Sequence, residues 1–142
     1  MSGQTAYIPE WFRYYGGLAD KIEGSVVPLD KKGYFAYTTT SPVGVVGIIT
    51  PWNSPLLLLT WKLAAALAAG CTVVIKPSEH TSASTLEFVA LLEDAGLPPG
   101  VVNVVTGFGA EVGSPLVDHP LVRKVSFTGS DATGRRIGEH AA

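Results

Sequence analysis

Lys76 and Glu79 lie just past an apolar, β-branched run, Cys71 to Ile75. An amine in that position is either solvated or pointed at a ligand. A nearby carboxylate can accept hydrogen bonds from two ribose hydroxyls and would repel a phosphate on the same sugar. A surface ion pair, worth little, is the plainer alternative. Gly107-Phe-Gly109-Ala-Glu-Val-Gly113 is a turn whose glycines let backbone N–H groups approach a nucleotide. Its spacing is one residue off the usual dinucleotide fingerprint, and a tight turn alone explains it equally well. Gly129-Ser130-Asp-Ala-Thr-Gly134 puts a hydroxyl and free helix N–H groups where a pyrophosphate could sit, or else Ser130 or Asp131 simply caps the helix. Asn53, in Pro51-Trp52-Asn53, offers an amide donor in an apolar neighbourhood to a developing oxyanion, or closes an Asx-turn. The one thiol, Cys71, has no histidine near it in sequence and opens a buried run, so it reads as core rather than nucleophile.

The elements that must position these residues alternate. Val43–Thr50, Cys71–Ile75, Val101–Val105 and Lys124–Phe127 are short apolar runs that predict buried strands. Leu56–Ala69 predicts a helix apolar on nearly every face, ended by Gly70. Thr81 is expected to cap a helix running to Asp94, with Phe88, Leu91, Leu92 and Ala95 as its inner face and Gly96 as its stop. A short helical segment follows Gly107–Gly113, and a final helix starts near Ala132. The order β-α-β-α-β-α-β-α implies an α/β, doubly wound, Rossmann-like parallel sheet with helices on both faces. Ligands bind such sheets at the carboxyl ends of the strands, where all the polar and glycine-rich turns above lie. Before Pro42 the pattern is irregular: an aromatic-rich helix over Tyr7–Ile22 weakened by Gly16-Gly17, then a short strand or hairpin arm over Tyr34–Thr40. The expected division is therefore an N-terminal helix and hairpin segment, 1–42, and a regular α/β part, 43–142, which the resemblance given below implies to be a partial coenzyme-binding domain.

The 142 residues suit one domain, and 46% hydrophobic against 15% charged residues suits a packed α/β core rather than a disordered tail. The net charge of −2 is scattered with no Lys/Arg cluster, which argues against nucleic acid and anionic membranes as partners. No apolar stretch is long enough to span a bilayer, because Lys62 and Gly70 interrupt the most apolar one. A single cysteine and no secretory-type N-terminus favour a reducing, cytoplasmic location. His80, His119 and His140 stand apart, without metal-ligand spacing. No P-loop, no G-x-S-x-G and no Tyr followed four residues later by Lys is present.

Taken together, Pro42-Val-Gly-Val-Val-Gly-Ile-Ile-Thr-Pro-Trp-Asn53, Ala68-Ala-Gly-Cys-Thr-Val-Val-Ile-Lys-Pro-Ser-Glu79, Ala95-Gly-Leu-Pro-Pro-Gly-Val-Val-Asn-Val-Val-Thr-Gly-Phe-Gly109 and Val125-Ser-Phe-Thr-Gly-Ser130 resemble, in this order, segments of the aldehyde dehydrogenase superfamily. The resemblance implies oxidation of an aldehyde to a carboxylic acid with NAD+, NADP+ being the alternative coenzyme. It implies that Lys76 and Glu79 hold the adenosine ribose, with Ser78 beside them, and that Gly109 and Gly113 flank the adenine. Trp52 and Ser130 would touch the pyrophosphate. Phe127, Thr128 and Gly129 would lie near the nicotinamide half, and Asn53 would be the catalytic oxyanion-hole amide. Ile49, Thr50, Pro51, Thr133 and Asn53 itself complete the implied coenzyme contacts. The family's nucleophilic cysteine and general-base glutamate match nothing in this sequence, and Cys71 is not at the nucleophile's position. The final helix has no stop signal after His140, so the chain is expected to be a fragment, inactive alone. Partners are then an aldehyde in the full-length parent and either further copies in a homo-oligomer or a full-length homologue. A non-enzymatic nucleotide-binding or partner-pairing module is the competing reading.

Overall fold

The fold, taken from a computed structural model, is described for residues 2–141. Helix α1, Ser2–Gly16, is followed by a 3-10 turn, Ala19–Lys21, and by two short strands, β1 (Val26–Val27) and β2 (Ala36–Tyr37), paired antiparallel. The alternating part then runs β3 (Val45–Ile49), α2 (Pro55–Ala68), β4 (Thr72–Lys76), α3 (Ser82–Asp94), β5 (Val102–Val104), a π-type turn (Gly109–Gly113), α4 (Ser114–Asp118), β6 (Val122–Phe127) and α5 (Asp131–His140). The four strands β3–β6 form a parallel sheet in the order β5-β4-β3-β6, as the α/β alternation predicts. Successive strands step outward from β3 to β5, and β6 then returns to the other side of β3. The topological switch lies between β3 and β6, the position where open α/β sheets hold ligands.

Strand period decides what each side chain meets. Val46 and Ile48 of β3 face one side, where they join Leu59 and Leu63 of α2, Val73 and Ile75 of β4 and Val89 of α3 in a single apolar cluster. Gly47 faces the other way, and a β-carbon there would sit 3.4 Å from Leu116 of α4 and from Val122. A wider residue would push α4 off the sheet. Full burial of Ile48, Leu59, Leu63 and Ile75 contributes about 1.5–3 kcal/mol per side chain, which makes the sheet a firm base for the turns at its ends. Helix α1 lies across α2 and α3: Trp11 packs edge-on against Trp61 at 5.6 Å and Phe12 against Phe88 at 6.2 Å.

Several local expectations differ from the structure. Helix α1 starts at Ser2, carries Pro9 inside it and stops at Gly16. The Gly16-Gly17 pair ends the helix rather than loosening its middle, because glycine's unfolded-state freedom is lost most cheaply outside a helix. The hairpin arm is only two residues long on each side. Thr81 does stand at the N-cap of α3, but its hydroxyl reaches back to the Ser78 carbonyl at 3.5 Å rather than capping the helix. The inner face of α3 is Thr85, Phe88, Val89 and Leu92, whereas Leu91 is 63% exposed and Ala95 is exposed too. Both stripes have helical spacing and share Phe88 and Leu92; the burial of Thr85 and of Val89, the latter within the core cluster, selects between them. Gly70 and Gly96 end α2 and α3 as expected, with φ of 75° and 97° that only glycine adopts freely.

Candidate functional site

The site grows out of one row of residues. Ile49 of β3 pairs with Lys76 of β4 on one side and with Phe127 of β6 on the other. Sheet register thus places the last residues of three strands side by side. One step beyond, the Thr50 N–H donates to the Lys76 carbonyl at 3.2 Å and the Thr128 N–H donates to the Ile49 carbonyl at 3.1 Å. The carboxyl ends of the strands are therefore fixed by backbone bonds before any ligand is considered.

Above this row, α4 and α5 diverge and leave a cleft of about 250 Å3. Ile49, Lys76, Gly109, Gly113 and Thr133, all singled out from the sequence, line it. Lys76 is only 4% exposed, so it is not half of a surface ion pair. Its Nζ donates to the neutral Pro77 carbonyl at 2.9 Å, and its stem packs on Gly113, where a β-carbon would lie 3.5 Å away. Burial pushes the Lys76 amine below the usual lysine range, while the charge of Glu79 pulls it back up. A buried ammonium with a single neutral acceptor keeps donor capacity for an anion or hydroxyl. Glu79 is exposed, and its carboxyl is held below its ordinary value. The foremost cause is a hydrogen bond from its own backbone N–H; burial opposes it next, and Lys76, His80 and Ser78 add smaller lowering effects. Ser78, half-buried, is occupied with the turn: its hydroxyl accepts from the His80 N–H at 3.3 Å and its carbonyl from the Thr81 N–H at 3.0 Å.

The turn after β6 forms a second, shallower cleft lined by Phe127, Thr128, Gly129 and Ser130. The Phe127 ring lies under this turn so closely that a β-carbon on Gly129 would fall 2.4 Å from its Cζ, and one on Gly134 would fall 3.5 Å from Cε1. Gly129 thus serves close packing on Phe127, whereas at Gly134 a methyl group would make an ordinary contact with the same ring. The Ser130 hydroxyl caps α5, accepting from the Thr133 N–H at 3.3 Å and lying 2.9 Å from the Thr133 hydroxyl. The capping alternative for Ser130 is therefore realised, and the remaining first-turn N–H groups stay available.

The turn after β3 is different. Trp52 is 65% exposed and Asn53 is exposed, and no hydrogen bond is made by the Asn53 side chain among the described residues. The apolar surroundings expected for Asn53 are not formed by these residues, and neither is an Asx-turn. Pro51 is half-buried, while Thr50 is buried with its hydroxyl unpartnered. Trp52, Asn53, Ser78 and Glu79 line neither cleft.

Other residues here were not singled out by sequence reasoning. Ala110, Ser114, Val117, Arg136, Ile137 and His140 complete the cleft between α4 and α5, and only the pairing of α4 with α5, which no local pattern encodes, brings them together. Lys62 had a legible signal, a lone cation within an apolar helix. Its Nζ donates to the Thr128 hydroxyl at 2.5 Å and the Leu58 carbonyl at 3.3 Å, and burial lowers its pKa. Cys71 is buried, as expected for a core thiol. No group of His, Cys, Asp and Glu suited to a metal ion occurs among the described residues. No helix among them is long and apolar enough to cross a membrane.

An α/β sheet with a buried lysine at a strand end and glycine-gripped turns at the switch point defines a nucleotide-site architecture of the dehydrogenase kind. The aldehyde dehydrogenase family model matches residues 1–142, and the chain belongs to that family. It is 53% identical over 141 residues to the (Z)-2-((N-methylformamido)methylene)-5-hydroxybutyrolactone dehydrogenase of Acinetobacter baylyi, a match covering 99% of this chain and 29% of that protein. Among solved structures, PnpE of Pseudomonas sp. WBC-3, determined in complex with nicotinamide adenine dinucleotide, superposes with a TM-score of 0.88 at 56% identity, over 92% of this chain and 27% of that one. The NAD+ complex of an aldehyde dehydrogenase from Bacillus cereus superposes with a TM-score of 0.91 at 48% identity, over 96% and 28%. The chain thus spans under a third of the length of the relatives it matches.

Proposed function

We propose that this chain supplies the coenzyme-holding part of an NAD(P)+-dependent aldehyde dehydrogenase, an oxidoreductase converting an aldehyde to a carboxylic acid, and that NAD+ is the preferred coenzyme. The observation that carries the reading is the Lys76–Ile49–Phe127 row, which sets a buried, under-partnered amine at the floor of the cleft between α4 and α5. Residues 43–142 form the coenzyme part on this reading, and 1–42 the segment that packs against and extends from it. The present residues fit a dinucleotide. The cleft is smaller than the roughly 300–1,000 Å3 of a whole ligand pocket, so it takes one end of an elongated molecule, and the shallower cleft after β6 lies further along the same strand ends.

Lys76 would donate to the adenosine ribose hydroxyls, and Glu79 would accept from them while disfavouring a 2′-phosphate. Gly109 and Gly113, without side chains, would admit the adenine beside Ile49 and Thr133. The first-turn N–H groups of α5, beyond the Ser130 cap, would receive the pyrophosphate together with Trp52 and the Thr50–Pro51 backbone. Phe127, Thr128 and Gly129 would border the nicotinamide half, whose chemistry is acceptance of a hydride. Lys62 would hold the Thr128 hydroxyl in place. Asn53 would donate its amide to the aldehyde oxygen. The covalent step of aldehyde oxidation needs a thiolate, and Cys71, buried at the amino end of β4 and so at the far end of the strands from Asn53, does not supply one, so turnover requires a nucleophile from outside these residues. The substrate is an aldehyde reaching Asn53 in that larger enzyme. A second reading, a partner-pairing module, draws on the β1–β2 hairpin, whose Val26, Tyr34, Phe35 and Tyr37 are all over 60% exposed; oligomerisation through this hairpin serves either reading.

Hydrogen exchange with and without NAD+ tests the proposal. Protection is expected at residues 50–54, 76–79, 109–113 and 128–133 and nowhere else. Protection confined to another face, or none at saturating NAD+, would overturn it.

A further inference from the structure

Helix α5 carries two consecutive arginines that serve different clefts. Arg135 lines the shallow cleft after β6 and is committed, its Nε donating to Asp131 at 3.1 Å. Arg136, turned by about 100° around the helix, lines the cleft between α4 and α5 and has no hydrogen-bond or ion-pair partner among the described residues. Of the other nitrogen groups lining the cleft, Lys76 donates to the Pro77 carbonyl at 2.9 Å, and His140 Nδ1 lies 2.9 Å from Asp118 Oδ1. No carboxylate lines the cleft, and Ile49, Val117 and Ile137 make its walls apolar. A guanidinium in such a place has no protein anion to meet. Its own chemistry, planar and weakly hydrated, suits it to lie on an aromatic face.

Resting on the coenzyme reading above, we infer that Arg136 is a specificity-determining residue of this site, stacking its guanidinium on the purine ring of the dinucleotide. Ile137 and Val117 then enclose the ring edge, and Gly109 opposite leaves room for it, since a β-carbon there would meet nothing within 4 Å. The contact favours an aromatic base over an aliphatic group of equal size and is indifferent to a phosphate on the ribose.

The test is calorimetric titration of NAD+, NADP+, ADP-ribose and nicotinamide mononucleotide into the chain and its Arg136→Met and Arg136→Lys variants. Arg136 is exposed, and thermal unfolding checks that both variants fold. Arg136→Met is expected to weaken NAD+ and ADP-ribose together by about three- to tenfold, leaving nicotinamide mononucleotide and the NAD+/NADP+ ratio unchanged, with Arg136→Lys recovering only part. Unchanged ADP-ribose affinity would overturn the inference. So would a loss confined to NADP+, which would put the guanidinium on a 2′-phosphate, or full recovery by lysine, which would make it a plain charge. If the parent chain binds NAD+ and both variants bind equally, this inference alone falls. If the parent binds no NAD+, the coenzyme reading falls with it.

Discussion

The turn after β6 and the turn after β3 leave neighbouring strands of one sheet and end in very different states. The first is gripped from below by Phe127, tied sideways by Lys62 to Thr128 and capped by Ser130. The second leaves Trp52 and Asn53 exposed. A site is preorganised where its supporting contacts come from the same segment. On our reading, the coenzyme side of the chemistry is built by these residues, whereas the aldehyde side, at Asn53, is completed by surfaces from elsewhere.

Substitutions test that contrast. The largest effect is expected from Gly129→Ala, which forces a methyl group to within 2.4 Å of Phe127; overpacking of this kind costs about 1–3 kcal/mol, seen as a fall in Tm, and should abolish NAD+ binding with it. Gly134→Ala, only 3.5 Å from the same ring, should instead leave stability unchanged or raise it by up to about 1 kcal/mol through helix propensity. Opposite outcomes for these two alanines are the signature of a turn set by the Phe127 contact, and equal outcomes would remove it.

A middle-sized effect concerns pH. Burial lowers the pKa of Lys62 and of Lys76 from the ordinary 10.5. Between each lowered value and 10.5, the unfolded chain holds protons that the folded chain has shed, so stability rises with pH across that window. At lower pH the full cost of burying both charges is present; above 10.5 it vanishes. Urea melts at stepped alkaline pH should show this rise, and Lys62→Met with Lys76→Met should flatten it relative to the parent. An equally steep rise in the double variant would mean that neither amine is desolvated. The smallest effect is expected at Asn53: Asn53→Ala should shift stability by less than about 0.5 kcal/mol and leave NAD+ affinity alone. A large loss of either would show that the turn after β3 is supported by contacts within the chain after all.

What could be read from the sequence divides along the same physical line. Gly70 and Gly96 marked helix ends because their left-handed backbone is a local demand. Strand positions were legible because β-branched runs must be buried. The face of α3 is ambiguous in the sequence because Phe88 and Leu92 share a helical period with Leu91 and Ala95 as well as with Thr85 and Val89, and the packing of Val89 into a core drawn from distant strands decides between them. Lys76 was found from its place at a strand end, but its burial was not, since that depends on Gly113 arriving from another crossover. Arg136, Ile137 and His140 were missed for the same reason: the cleft they line exists only once α4 and α5 are set side by side.

If the strand-end row of this chain forms a coenzyme site by itself, the chain binds NAD+ without help from other residues. The direct measurement is calorimetric titration of NAD+ into the monodisperse chain, with Lys76→Met as a control that keeps the buried stem. Saturable binding is expected in the parent, weakened at least tenfold in a control of comparable Tm. A folded parent that gives no binding heat and no Tm shift with NAD+, or a control that binds as tightly as the parent, would contradict it.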